Sequence, residues 1–331
     1  MKGDATHTKV SVIIPNWNGK HLLKVCLPSL RKQMFKNFEV VVVDNGSTDG
    51  SIYYIKKYFP KIKLVELSKN TGFAPAVNLG IKICVGDYIV LLNNDTKSDK
   101  SFLRYLVKAA DHRPEAGMIA AKILKLDDPN IIDSTGAYID AVGHANNIGI
   151  GEKDGPKFNK SGFVFLVSGG GCLIKREVFK SIGFFDEDFF AYMEDVDFSI
   201  RAQIAGFKAW YEPKAILFHK HKATSIKNRN FLEYLQFRNM SQMIIKNYPL
   251  KFFLQDLNLI KIILVNLNTV FYLSSKGFLV SALKAEAYIF FNFIKLLNKR
   301  KTIQANSKVS YEYIVQNIKP KRIYLYGFLR R

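Results

Sequence analysis

Four strand-length runs in the first 92 residues constrain this chain most: KVSVIIP (9–15), FEVVVVD (38–44), KIKLVEL (61–67) and DYIVLL (87–92). Three of them are apolar almost throughout, the pattern of strands buried on both faces. Between the runs, GKHLLKVCLPSLRKQ (19–33), the stretch leading to Tyr58, and APAVNLGIKIC (74–84) space their apolar residues for helices. Pro28 interrupts the first helix and predicts a kink. Ser47, Thr48 or Asp49 supplies a cap for the second. This alternation predicts an α/β fold with a mostly parallel sheet covered on both faces. Ligands of such sheets bind beyond the carboxyl ends of the strands.

What stands at those ends is therefore informative. Pro15, Asn16, Trp17 and Asn18 follow the first run, and Asp44, Asn45 and Gly46 the second. Asn70, Thr71 and Gly72 follow the third, and Asn93, Asn94 and Asp95 the fourth. Turn chemistry accounts for such residues at any one end. Together they describe a polar, nucleotide-sized crevice. A dinucleotide fingerprint would need G-x-G-x-x-G after the first strand, where the sequence reads NWNGK. A calcium loop starting at Asp44 would need oxygen-rich side chains at its third and fifth positions and Glu at its twelfth. Gly46, Thr48 and Ile55 stand there instead.

Further along, GMIAAKIL predicts a strand, and the glycine- and asparagine-rich span 136–162 predicts loops or a flap. FVFLVSGGGCLIKREVF predicts a strand, a glycine break, and a strand leading into a helix. The glycines 169–171 allow close approach of a ligand or form a bulge. From Gly183 to Arg201 six acids (Asp186, Glu187, Asp188, Glu194, Asp195, Asp197) occur before any lysine or arginine. Helical spacing from Asp195 to Ala205 places Glu194 and Asp195 at a helix N-terminus, which acids suit. Asp197 and Arg201 form an i,i+4 pair. Capping explains one or two of the acids. Carboxylates set among Phe184, Phe185, Phe189, Phe190 and Tyr192 are candidates for a general base with a tuned pKa.

The net charge of +21 is concentrated at one end: from Lys220 onward twenty Lys and Arg face four acids. Such a tail calls for an anionic partner, whether nucleic acid, acidic lipid or a phosphorylated substrate. Residues 228–247, 250–276 and 278–299 read as helices with apolar faces and polar stripes. The longest uncharged run, Ile262 to Ser275, has 14 residues, short of the roughly 18 a spanning helix needs. Basic amphipathic helices suit a membrane interface, and a helical subdomain packed on the core is the alternative. NKRKTIQANSK (298–308) reads as a flexible linker, and KPKRIYLYGFLRR (319–331) as a basic, aromatic end. No nucleic-acid-binding motif accompanies the charge, so nucleic acid is not expected as a partner. Three scattered cysteines exclude a disulfide framework or structural zinc site. The N-terminal segment carries no secretory signal.

Taken in order, VSVIIPNWNG, VVVVDNGSTDGS, NTGFAPAVNLGI, DYIVLLNNDT, SGGGCLIKREVFKSIGFFDEDFFAYMEDVDFSIRAQIAGFKAWYEP and ILFHKH resemble the inverting family 2 glycosyltransferases of the GT-A fold. The branch they resemble most is the rhamnosyltransferase-like enzymes of bacterial surface polysaccharides. The resemblance covers about residues 9–225. It implies a catalytic domain over 1–225 and a membrane-associating helical region over 226–331. It also implies a nucleotide-diphosphate sugar as donor, a saccharide or lipid-linked saccharide as acceptor, and residence on the cytoplasmic face of a membrane. Asn93-Asn94-Asp95 takes the place of the family's Asp-x-Asp metal motif, with an amide where its first carboxylate stands. Asp95 is then the direct ligand of Mg²⁺ or Mn²⁺, joined by His219; His221 is a weaker candidate. Asp44 takes the nucleoside position, with Pro15, Asn16 and Asn18 in the same pocket. Asn70, Gly72, Asn78, Asn93, Asn94, Gly170 and Glu194 complete the implied donor site, and Asp195 takes the position of the catalytic base. The family's processive Gln-x-x-Arg-Trp motif is missing; QFRNM is the nearest stretch. The donor is rhamnose on dTDP or, alternatively, a UDP-hexose or UDP-N-acetylhexosamine, and a non-catalytic nucleotide-sugar-binding scaffold also fits the altered metal motif.

Overall fold

The computed structural model describes residues 8–220 and 228–320. Its first half follows the predicted alternation: β1 (Val10–Asn16), α1 (Lys20–Arg31), β2 (Phe38–Asp44), α2 (Ser51–Tyr58), β3 (Lys63–Glu66), α3 (Phe73–Ile83) and β4 (Tyr88–Leu92). Next come β5 (Thr96–Ser98), α4 (Phe102–His112), β6 (Ala116–Lys125), β7 (Ile132–Ser134), β8 (Ala137–Asp140), β9 (Ala145–Asn147) and β10 (Gly162–Val164). The core closes with β11 (Gly171–Lys175), α5 (Arg176–Ile182), α6 (Glu194–Ile204) and β12 (Lys208–His219). Last are α7 (Arg229–Asn247), α8 (Leu250–Leu254), α9 (Asn258–Ser275), α10 (Leu279–Ala305), α11 (Tyr311–Asn317) and β13 (Ile318–Lys319).

The large sheet runs β10-β12-β6-β11-β4-β1-β2-β3. β4, β1, β2 and β3 are mutually parallel, and β12 is parallel to β6. β11 is antiparallel to both its neighbours. Successive residues of β1 enter opposite layers: Val12 and Ile14 pack with α1 and α4, Ile13 with α3, α5 and α6. Both faces are covered, as continuous apolar strands require. The register puts Asn16 beside Asp44, so the polar ends lie level.

Several expectations need correction. Gly50, left-handed with φ 82°, is the residue before α2; Asp49 serves the helix by accepting from Ser51 N–H at 3.0 Å. The span 136–162 is not all loop, because β8 and β9 form a small sheet with β13. Residues 250–276 are not one helix, since Asp256 and Leu257 adopt φ of 50° and 58° and divide α8 from α9. Residues 298–305 are no linker: α10 continues through them to Ala305. The boundary at 225/226, His221, and most of the basic end (321–331) fall outside the described residues.

The acidic segment and the basic tail turn out to be partners. Lys246 on α7, 1% exposed, reaches Asp186 at 2.5 Å and Asp197 at 2.8 Å. Asp197 is fully buried and also accepts from Arg201 Nε and Asn247 Nδ2, each at 2.8 Å. Lys299 binds Asp186 at 2.7 Å and Asp188 at 2.6 Å, and Lys295 joins at Asp188. Around these charges α6, α7, α9 and α10 share an apolar core that includes Ile200, Met243, Tyr248 and Ala285. The tail is thus packed on the α/β core, while Phe271, Phe290, Phe291 and Ile294 on its outer side remain exposed.

Burial alone would raise the Asp186 and Asp197 carboxyls, but the neighbouring lysines and arginine outweigh it and hold both below the usual range. Groups with depressed folded pKa stabilise above their unfolded value, about 4, and lose that contribution as pH falls. Denaturant stability is expected to fall as the pH drops below about 5 and to go on falling below about pH 3, with a shallower fall in Asp186→Asn. Lys246→Met, which leaves buried carboxylates under-compensated, should cost about 3 kcal/mol in the same measurement.

Candidate functional site

The ends of β1, β2 and β4 are joined by side chains. Asn94 Nδ2 donates to Asn16 Oδ1 at 2.8 Å, and Asn16 Nδ2 donates to Asp44 Oδ2 at 2.9 Å. Asp44 Oδ1 accepts from Ser47 N–H at 2.8 Å. These three residues are all buried, so each polar atom needs its partner, and the relay locks the three ends in register. Asn45 extends it by donating to Asn70 Oδ1 at 3.0 Å and Gly72 O at 2.9 Å. Gly19 lies beneath: a Cβ there would stand 2.3 Å from Asn94 Nδ2 and 2.5 Å from Asn16 Oδ1.

Above the relay lies a crevice of about 300 Å³, at the lower end of the usual range for small-molecule sites. Pro15, Asn16 and half-exposed Trp17 form its floor and mouth, with Asn70 and Gly72 on one side. Asn93, Asn94 and Gly170 also line it, and Phe190, Ala191, Tyr192, Glu194 and Asp195 complete the wall. Phe190, Tyr192 and Met193 hold φ of 62°, 69° and 70°, a conformation costing about 1–2 kcal/mol per residue. Strain of this kind persists where surrounding contacts over-determine it.

Asp195 stands in the first turn of α6, with Oδ2 accepting from Gly169 N–H at 2.8 Å and Oδ1 from Val196 N–H at 2.9 Å. Burial raises its pKa against these bonds. Glu194 is pushed well above the usual carboxylate range, first by burial and then by Asp195. It lines the crevice, and no hydrogen-bond partner reaches its Oε2 among the described residues. Burial thus raises both carboxyls, and at Glu194 the neighbouring Asp195 adds to it.

Asp95 and His219 meet where β5 pairs with β12, the register setting His219 beside Thr96. His219 Nε2 is 3.4 Å from Asp95 Oδ1, and Nδ1 is 2.7 Å from Asp133 Oδ2. Burial works to lower the His219 pKa, but the hydrogen bonds to Asp133 and Asp95 prevail and raise it to about 9. A carboxylate beside an imidazole whose far nitrogen rests on a second carboxylate is a donor set that divalent cations accept. Among the described residues no group of three or more His, Cys, Asp and Glu side chains is placed to hold a metal. Asp95 and His219 thus offer one oxygen and one nitrogen donor side by side.

Nine of the expected residues line one crevice: Pro15, Asn16, Asn70, Gly72, Asn93, Asn94, Gly170, Glu194 and Asp195. Asp44 lies directly below it, and Asn18 sits at the rim, its Oδ1 accepting from Thr48 N–H at 2.8 Å. Asn78 faces elsewhere, bonding Phe185 O and N–H at 2.9 and 3.0 Å and Glu187 at 3.0 Å. It ties α3 to the acidic segment. Sequence reasoning gave no role to Asn45, although it stands in the row of strand ends. Asp133 and Gly19 went unnoticed: a lone acid in a short strand and a glycine before a helix carry no pattern.

The model of the family described as "Glycosyl transferase family 2" matches residues 11–183, more than half of the chain. An O-antigen biosynthesis protein of Myxococcus xanthus is 29% identical over 226 residues, covering 65% of this chain but only 18% of its own length. An N-acetylglucosaminyl-diphospho-decaprenol L-rhamnosyltransferase of Mycobacterium tuberculosis is 28% identical over 232 residues, covering 62% of this chain and 74% of that one. The chain spans 48% of a Staphylococcus aureus poly-beta-1,6-N-acetyl-D-glucosamine synthase, at 25% identity over 62% of its own length. Among solved structures, a Pyrobaculum calidifontis mannosyltransferase with GDP-Man and Mn²⁺ superposes with TM-score 0.53 at 18% identity, covering 91% of this chain and 85% of that one. GalNAc-T7 with UDP, GalNAc and Mn²⁺ gives 0.66 at 16% identity, covering 95% and 57%. These likenesses establish the GT-A fold.

Gly19→Ala should push Asn16 and Asn94 apart and weaken nucleoside diphosphate binding roughly tenfold, about 1.4 kcal/mol. Calorimetric titration would read this, and unchanged affinity would dissociate the relay from binding.

Proposed function

The chain belongs to glycosyl transferase family 2, and on that premise we propose that it transfers a sugar, with rhamnose the leading candidate, from a nucleoside diphosphate to a lipid-linked saccharide with inversion. The observation that carries this reading is the Asp195 carboxylate, fixed by Gly169 N–H at the edge of a crevice built from strand ends. An acceptor hydroxyl gives its proton to Asp195, and its oxygen bonds to the anomeric carbon as the bond to the diphosphate breaks. One displacement with one base inverts the configuration.

Asn16 and Asp44, with Pro15 and Asn18, receive the nucleoside; Asn70, Gly72, Asn93, Asn94 and Gly170 border the sugar diphosphate. Glu194 borders the crevice beside Asp195. Asp95 and His219 would hold Mg²⁺ or Mn²⁺, which would supply positive charge for the departing diphosphate. The mycobacterial relative's name supports rhamnose and a lipid-linked acceptor. The staphylococcal relative's name supports the second reading, an N-acetylhexosamine donor.

The outer faces of α9 and α10 support attachment to the cytoplasmic side of an anionic membrane. Leu267, Phe271, Phe290 and Phe291 are more than 60% exposed there, with Lys251, Lys276 and Lys284 exposed on the same helical region. α9, with 18 residues, is long and apolar enough to span a bilayer by length and composition. The flanking lysines favour a helix lying in the interface.

A panel of dTDP- and UDP-sugars, with Mg²⁺, Mn²⁺ or EDTA and a lipid extract as acceptor, tests the reading. Metal-dependent release of nucleoside diphosphate from one donor is expected. Asp195→Asn should retain donor binding and lose about 10²–10⁴ in turnover. Because burial raises the Asp195 pKa, the acid limb of activity should lie above the ordinary aspartate range. Near-normal transfer by Asp195→Asn would remove that residue from the role. Silence from nucleotide-binding protein would favour a scaffold.

A further inference from the structure

The crevice wall from Asp188 to Met193 belongs to no long helix or strand, so its carbonyl groups lack regular partners. Three of them converge on one side chain of the tail. Asn239 Nδ2, on α7, donates to Phe189 O at 2.9 Å and to Ala191 O and Tyr192 O at 2.8 Å. Its Oδ1 accepts from Arg238 Nε and Gln242 Nε2, both at 2.9 Å, which fixes the amide's orientation. Arg238 Nη2 adds bonds to Asp188 O at 2.7 Å and Phe189 O at 3.0 Å. From the other side, Phe190 O accepts from Phe73 N–H at 2.5 Å and Ala74 N–H at 3.3 Å, at the start of α3. Gly72 leaves room for this, since a Cβ there would lie 2.6 Å from Phe190 O.

We infer that Asn239 is a positioning residue: its buried amide holds the strained crevice wall in the form that presents Glu194 and Asp195, and thereby makes the C-terminal helices part of the reacting centre. The wall contains three left-handed residues immediately before α6, and Met193 is the residue on which that helix begins. Released from Asn239, Phe190, Tyr192 and Met193 can relax to extended or right-handed backbone, which rotates the first turn of α6 and moves Asp195 away from Gly169. No other side chain among the hydrogen bonds of the described residues bridges Phe189, Ala191 and Tyr192. The catalytic consequence rests on Asp195 being the base; the structural one does not.

The test is Asn239→Leu, which keeps the volume and removes both donors, with Arg238→Lys as the milder variant should the first fail to fold. Hydrogen exchange in 188–195 should accelerate at least tenfold, while β1, β2 and β4 remain protected. Turnover should fall about a hundredfold, the scale of a small misplacement of reacting groups. The dissociation constant for UDP or dTDP should stay within about threefold, because the nucleoside relay lies on other strands. Unchanged exchange in 188–195 would overturn the inference whatever the activity. Faster exchange with unchanged turnover would confine Asn239 to a structural role and overturn the positioning claim. If the unaltered protein transfers no sugar, the functional reading fails separately, and the exchange result still stands or falls alone.

Discussion

Asp197 has no exposed surface, yet it carries a charge that the fold must answer. Lys246 and Arg201 answer it from two directions, one from the C-terminal helices and one from its own helix. Removing a single partner from such a cluster is far more destructive than replacing all of it by apolar groups. The cluster therefore works as a specific latch. It allows one seating of α7 against α6, and that seating brings Asn239 and Arg238 to the carbonyl groups of the crevice wall. The donor half of the crevice owes little to the latch, being assembled by strands whose register is set within the sheet. The half that carries Asp195 depends on it.

This division clarifies the composition. A basic tail on an otherwise nearly balanced chain suggests an external anion, but Lys246, Lys295 and Lys299 are engaged with Asp186, Asp188 and Asp197. The acids looked anomalous because their partners lie 49 to 113 residues away, beyond any local pattern. What remains free for a membrane is the outer, aromatic side of the helical hairpin with its own lysines. That exposed face lies on α9 and α10, whereas Asn239 and Arg238, which brace the crevice wall, lie on α7.

Much of the fold was legible because burial on both faces forces continuous apolar runs, and β1, β2 and β4 have them. Their polar ends pointed to the crevice for the same reason: a strand in such a sheet stops being apolar only where it leaves the core. Between 126 and 162 the strands are three or four residues long and separated by glycine-bearing turns, so no period could accumulate and the region read as loop. Residues 298–305 read as linker because three charges in sequence normally seek solvent, whereas Lys299 and Arg300 find Asp186 and the Ile245 carbonyl. Asp133 and Asn239 act only through residues distant in sequence. Asn78 carried a motif position, but its bonds serve packing.

If the polar strand ends form a nucleotide-diphosphate site with Asp95 and His219 at its metal edge, nucleotide and cation must bind together. Calorimetric titration with UDP and dTDP, in Mn²⁺ and in EDTA, for the unaltered chain and Asp95→Ala, addresses it most directly. Binding should weaken tenfold or more, about 1.4 kcal/mol, on chelation and to a similar extent in the variant. Equal affinity in all four conditions, or no binding at all, would contradict it.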